Sequence, residues 1–231
     1  PLMRNTLGIS LYSLAAGFPV PIILAFMLNE LRSQKFRRTV QMITYIPHFI
    51  SAVAICSMLT LFMDRTNGVF NHILAAFGCE RVAFLAEPRY FKTIYVLSGI
   101  WQGAGWGSII YLAALSSVDP QMIEAAIIDG ANRFQKIIYI DFPAILPTII
   151  TLLILNVGSL VSVGYEKILL LQNSLNMESS DVIGTYVYRL GIKDAQYSYT
   201  TAIGVFNSVV NVILLVICNG VARQVSETSL W

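Results

Sequence analysis

The chain predicts an all-α, polytopic membrane helix bundle, and three observations carry that prediction. Of 231 residues, 56% are hydrophobic and only 12% are charged, against roughly a quarter charged in soluble domains. Mean hydropathy is +0.67. Charge-free stretches also recur between short polar segments, and about 20 apolar residues suffice for a helix to cross ~30 Å of hydrocarbon. Residues 1–231 read as one transmembrane domain with five spans.

The first span is Leu7 to Leu28, 22 residues without a charge. Pro19 and Pro21 lie inside it, so a kink or unwound turn is expected near its middle. The polar segment Asn29 to Arg38 follows, with Arg32, Lys35, Arg37 and Arg38 packed into seven residues. Dense Lys and Arg in a short loop is the positive-inside signal, which puts this loop in the cytoplasm. Val40 to Met63 is the second span, interrupted at Pro47-His48. A histidine there suits a cavity lining or a proton path; the favoured reading is a ring bonded to carbonyls that Pro47 frees.

Asp64 to Lys92 is a mixed external loop with a turn at Asn67-Gly68 and a short surface helix within Val69 to Phe77. The third span, Thr93 to Val118, holds Trp101, Gln102, Trp106 and Tyr111 among Gly99, Gly103, Gly105 and Gly107. Small residues let helices approach closely. Aromatic rings beside an amide also suit the apolar C–H faces of sugars, so Trp101, Gln102 and Trp106 are candidate substrate-path residues. A nucleotide reading of the glycines fails, because no strand precedes them and they sit within a span.

Asp119-Pro120 opens a helix over Gln121 to Ile128, with Asp119 as N-cap and Pro120 as first helical residue. Gly130 is the natural stop. A second amphipathic run, Asn132 to Ile140, precedes Pro143 and Pro147. The fourth span runs from Phe142 to Tyr165 past Asn156, and Glu166-Lys167 follows as an ion pair or gate at the external mouth. Gln172 to Tyr199 is a polar external loop with Tyr186, Tyr188, Tyr197 and Tyr199, suited to a partner protein or carbohydrate. The fifth span, Thr200 to Ala222, carries Asn207 and Asn211 one turn apart. Amides in lipid must find partners, so with Asn156 this face is assigned to the bundle interior or a polar path. Arg223 to Trp231 is then a cytoplasmic tail.

The charges do not orient the chain by number: seven Lys and Arg fall on the proposed inside and eight outside. The density of Arg32 to Arg38 decides it, together with the cytoplasmic placement of residues 119–140 that the resemblance described below implies. A net charge of +2, with no basic run interleaved with aromatics, gives no footprint for nucleic acid. Cys56, Cys79 and Cys218 are scattered and demand no disulfide. The sequence contains no GxxxxGK[ST] loop, so ATP hydrolysis is not expected on this chain. No Ser-His-Asp, HExxH or CxxC constellation is present either; no catalytic residue and no metal ligand is assigned.

Between two apolar segments stands Glu124-Ala125-Ala126, then three residues, Gly130, nine residues, Ile140, two residues and Pro143. This spacing resembles the EAA signature of binding-protein-dependent ABC importer permeases; Phe142 replaces the usual Leu before the first Pro. The likeness covers nearly the whole chain and points to carbohydrate permeases of the maltose type. Ile46-Pro47-His48-Phe49-Ile50-Ser51 resembles a branch associated with complex oligosaccharides such as aldouronates.

The resemblance implies the type I importer permease fold, a bacterial cell membrane location, and one more spanning helix before this fragment, six in all. It implies a second homologous permease subunit, two cytoplasmic ATPase subunits that hold ATP and Mg, and an external solute-binding protein, with no cofactor on this chain. Residues 119–140 are then the cytoplasmic coupling segment, seated in a groove of the ATPase. Glu124 would pair with a basic residue there, Ala125 and Ala126 would pack without bulk, and Gly130 would permit the bend; Asp129, Arg133 and Pro143 complete the segment. An ABC permease for amino acids or another small solute is the main alternative. An ion-driven secondary transporter would need intramembrane charges and inverted repeats that the spans do not offer beyond His48, and a membrane-embedded enzyme would need a catalytic pair at common depth.

Overall fold

A computed structural model describes residues 1–225, and every described element is helical. The elements are α1 (Leu2–Gly17), α2 (Pro19–Asn29), α3 (Gln34–Tyr45), a 3₁₀ turn at Ile46–Phe49, α4 (Ala52–Phe62), α5 (Val69–Ala76), α6 (Pro88–Leu115), α7 (Pro120–Ile128), α8 (Arg133–Lys136), α9 (Phe142–Val157), α10 (Tyr165–Leu171), α11 (Met177–Ser180), α12 (Ile183–Tyr188) and α13 (Tyr197–Val225). Two π-helical turns, Ile137–Asp141 and Arg189–Lys193, complete the order. Among the described residues, three helical runs are long and apolar enough to cross a membrane: Leu2–Asn29, Arg133–Val157 and Tyr197–Gln224. The broken pair formed by α3 with its 3₁₀ turn and α4 makes a fourth if it counts as one span.

Several expected boundaries move, each for a local reason. The second span begins in the polar segment: Ser33 caps α3, its Oγ accepting from Phe36 N–H at 3.4 Å, so Lys35, Arg37 and Arg38 are helical rather than in a loop. Pro47 then ends that helix, and Ser51 caps α4 by accepting from Ala54 N–H at 3.2 Å. The third span starts at Pro88 and stops at Leu115. Its 28 residues span about 42 Å at 1.5 Å per residue, yet its Tyr, Trp, Gly, Ser and Gln keep it outside the strongly apolar set. The fourth span ends at Val157 rather than Tyr165, at the Asn156, Gly158 and Ser159 cluster.

The chain divides into two compact units. The first comprises 1–13, 49–99 and 160–211, with a core of Ile9, Cys56, Phe91, Ile168, Leu171 and Val182. The polar segment Gln172 to Tyr199, expected as a loop, contains α11, α12 and the second π turn and is held by a polar interior. Asn176 is fully buried and satisfied four ways. Its amide donates to the carbonyls of Leu85 (2.8 Å) and Leu171 (3.0 Å), and its oxygen accepts from Asn173 N–H and Ser180 Oγ (both 3.0 Å). Asn5 of α1 donates to the carbonyls of Glu178 and Asp181, and Ile183 N–H donates to Thr6 Oγ1. Buried in the fold and fully satisfied, such side-chain bonds hold an irregular segment in one arrangement.

In the same unit, Asn211 meets the expectation that its amide finds a partner. It accepts from Val161 N–H at 3.2 Å and donates to Ser162 Oγ at 2.8 Å, holding the stretch that follows α9. Ser10 Oγ donates to the Leu160 carbonyl of that stretch. Asp181 and Arg189 form a two-pronged ion pair at 2.8 Å. Burial by itself would raise the Asp181 carboxyl, but hydrogen bonds from Arg189 and Thr185 outweigh it and hold the group below the ordinary range.

Among the described residues the second unit comprises 14–48, 100–159 and 212–225. Its core is Ala25, Phe26, Leu28, Tyr111, Leu112, Leu115, Ile145 and Ile149. A glycine makes one close approach possible here, because a Cβ on Gly105 would strike the backbone of Thr44. Lipid tails are as apolar as these side chains, so this kind of tight fit, rather than expulsion of water, holds the helices together.

Candidate functional site

Residues 119–140 build their shape from local chemistry. Asp119 Oδ1 accepts from Gln121 N–H at 2.9 Å, and Pro120 starts α7 where no amide donor is needed. At the far end Gly130 adopts φ +80°. Its N–H donates to the Ile127 carbonyl at 3.1 Å, and Ala131 N–H reaches back to Ala126 at 2.9 Å. Those two bonds make a Schellman cap, which requires the left-handed residue that glycine supplies. Two residues on, Asn132 and Gln135 form a reciprocal capping box at 2.9 and 2.8 Å. The Asn-x-x-Gln pattern was there to be read in the sequence.

The second amphipathic run is not a separate piece. α8, the π turn and α9 form one helical run, Arg133–Val157, so this second run is continuous with the fourth span. Pro143 permits this because the π turn at Ile137–Asp141 widens the helix where the proline ring would otherwise crowd the carbonyl one turn back.

Beneath α7 lies a cavity of about 420 Å³, lined by Ile123, Ala126 and Ile127, by Asn29 to Arg32 at the end of α2, and by Ala131, Asn132, Arg133 and Lys136. Lys136 ties its walls together. It pairs with Glu30, and its ammonium stands 3.4 Å from Asp141 Oδ2. Asp141 is only 1% exposed. Neither acid was among the expected site residues, although a lone Asp before Phe142-Pro143 in an apolar run was visible.

The outer face of the segment presents both polar and apolar groups. Glu124, Ala125, Asp129, Gly130, Arg133 and Pro143 are exposed and Ala126 is half-buried. Among them Ile128 is 85% and Phe134 78% exposed, on either side of Gly130. Large apolar side chains beside charges on a rigid, capped turn are the features of a protein-docking surface.

The substrate-path candidates are divided. Trp101, Gln102, Trp106 and Asn156 belong to the second unit, Asn207 and Asn211 to the first. Trp106 stacks on His48 with ring centroids 4.6 Å apart and planes 1° from parallel. Trp101 is exposed. Asn156 turns its amide back onto the Leu152 carbonyl of its own helix at 2.7 Å. Asn207 Oδ1 is buried with no hydrogen-bond partner among the described residues. Glu166 and Lys167 do not pair, because adjacent helical residues point about 100° apart.

Residues 17–227 match the model of the family described as the binding-protein-dependent transport system inner membrane component. The chain belongs to that family. This permease is 42% identical to the polygalacturonan/rhamnogalacturonan transport system permease protein YteP of Bacillus subtilis, over all of its own length and 72% of that protein. It superposes on a chain of a bacterial alginate ABC transporter, crystallised in complex with an alginate pentasaccharide-bound periplasmic protein. There the TM-score is 0.94 and the identity 44%, over 98% of this chain and 79% of the other. A second crystal structure, of an ABC transporter involved in the import of the acidic polysaccharide alginate, gives 0.93 and 44% over 96% and 78%. At this identity the likeness extends beyond fold to the kind of machine.

Proposed function

We propose that this permease is the transmembrane subunit of an ATP-driven importer of oligosaccharides in the bacterial cell membrane, with ATP and Mg held by a separate cytoplasmic ATPase. A second permease subunit and an external solute-binding protein complete the assembly. The observation that carries the coupling role is the exposed Ile128–Gly130–Phe134 corner, held rigid by the Schellman cap and the capping box. A lever must not deform, and beyond the capped corner this one runs from Arg133 without a break into the fourth span. In this reading Glu124 meets a basic group of the ATPase, Ala125 and Ala126 leave room for close contact, and closure of the ATPase dimer moves α7. Switching follows only if the inward-open and outward-open states differ in their contacts at this joint.

The names of the relatives support an acidic oligosaccharide as cargo: one is a permease of a polygalacturonan/rhamnogalacturonan transport system, and the other belongs to a transporter involved in the import of the acidic polysaccharide alginate. The coupling role is tested with the full-length subunit carrying Glu124→Lys, co-expressed with its ATPase. Loss of the ATPase on purification, with the permease still folded, is the expected result. Unchanged co-purification and uptake would overturn the docking role.

A further inference from the structure

The first unit contains cations with no acid to meet them. Lys167 Nζ is buried and has no hydrogen-bond partner among the described residues. No described carboxylate pairs with it. What it does meet is α6: its ammonium stands 5.5 Å from the centroid of the Tyr95 ring and would lie 3.9 Å from a Cβ built on Gly99. Gly99 is itself exposed, so the ammonium lies just behind an open stretch of backbone. Lys92 shares this face of α6, three residues before Tyr95 and seven before Gly99. Its own ammonium lies 3.0 Å from the position of a Cβ on Gly8 of α1. Arg4, at the start of α1, is exposed, and neither Lys92 nor Arg4 joins a described ion pair.

A desolvated ammonium without an anion is a costly arrangement, and an ionisable group of this kind within a membrane protein is in general where a charged ligand or relay is met. We propose that Lys167 and Lys92 form a substrate subsite for the carboxylates of an acidic oligosaccharide. The ammonium groups take the charge, while the Tyr95 ring, stacked on Phe91 and packed against the core of the unit, backs the Lys167 ammonium. The Lys92 ammonium lies against Gly8 and the Lys167 ammonium against Gly99, two separate positive groups that suit a ligand carrying more than one carboxylate. The sequence puts Lys92 in an external loop and Lys167 at the external mouth of the fourth span, where cargo from a binding protein arrives. The inference rests on the oligosaccharide-importer reading and narrows it to a charge class with named residues.

The test uses the complete importer in liposomes, with full-length permease, partner permease, ATPase and binding protein. Uptake of labelled trigalacturonate and binding-protein-stimulated ATP hydrolysis are measured for the parent and for Lys167→Arg, Lys167→Met and Lys167→Glu. The subsite predicts near-parent uptake for Arg, a loss of about tenfold or more for Met and a further loss for Glu, with ATP hydrolysis still stimulated. Equal uptake across the series would overturn it. So would an equal loss in all three variants together with loss of stimulated hydrolysis, because that marks a packing role. A parent complex that imports galactotriose but not trigalacturonate would overturn the subsite and leave the importer standing. A parent complex that imports neither with ATP would remove the importer reading itself.

Discussion

Replacing Gly130 by Ala isolates the cap of α7 from everything around it. A Cβ at this position meets nothing within 4 Å, so the substitution adds no clash and its cost is purely conformational. A left-handed backbone costs an L residue roughly 1–2 kcal/mol. The two capping bonds, from Gly130 to Ile127 and from Ala131 to Ala126, return about 1 kcal/mol each at best. Cost and return nearly cancel, so the capped and frayed ends become comparably populated, a change of about 5- to 30-fold in their ratio. Ile128 and Phe134 then lose their fixed relation.

Asn tolerates this backbone better than Ala. Pro cannot form the cap at all: its φ is fixed near −65° and it has no N–H for Ile127. In proteoliposomes the ratio of substrate imported to ATP hydrolysed should fall in the order Gly, Asn, Ala, Pro, while the protein remains folded. Equal ratios for Gly130→Ala and Gly130→Pro, or a parent-like ratio for Pro, would refute the claim that a rigid cap transmits the motion.

Two further outcomes follow from the polar interior. Lys136→Met strands Asp141, and breaking a buried pair costs about 3–5 kcal/mol; the purified complex should melt lower, and adding Asp141→Asn should restore part of the loss. Parent-like melting of Lys136→Met would show that the triad carries no weight. Asp181 has a folded-state pKa below its unfolded value, so its contribution to stability is fully present above about pH 4. It is lost as pH falls from there through the folded value. Melting curves should therefore converge for the parent and Asp181→Asn under acid and separate at neutral pH; a constant gap would contradict the assignment.

The sequence announced α7 almost to the residue because its signals are local: Asp119-Pro120 at one end and Gly130 at the other. The fifth span was legible for the same reason, an unbroken apolar run, and α13 extends it by only a few residues at each end. What escaped depends on partners distant in the chain. Nothing near Asn176 in sequence says that Leu85 will offer it a carbonyl 2.8 Å away. The union of the run that begins at Arg133 with the fourth span hinges on a π turn that absorbs Pro143, and proline alone argues for a break. Lys167 beside Glu166 reads as an ion pair until the helix turns the two apart, and Lys136 acquires its role only when Glu30 is brought to it.

The most direct measurement of the central claim is uptake of a labelled oligosaccharide by the reconstituted full-length importer, with ATP or an ion gradient supplied in turn. The account predicts uptake that requires ATP and the binding protein and is indifferent to the gradient. Uptake driven by the gradient without ATP would contradict it.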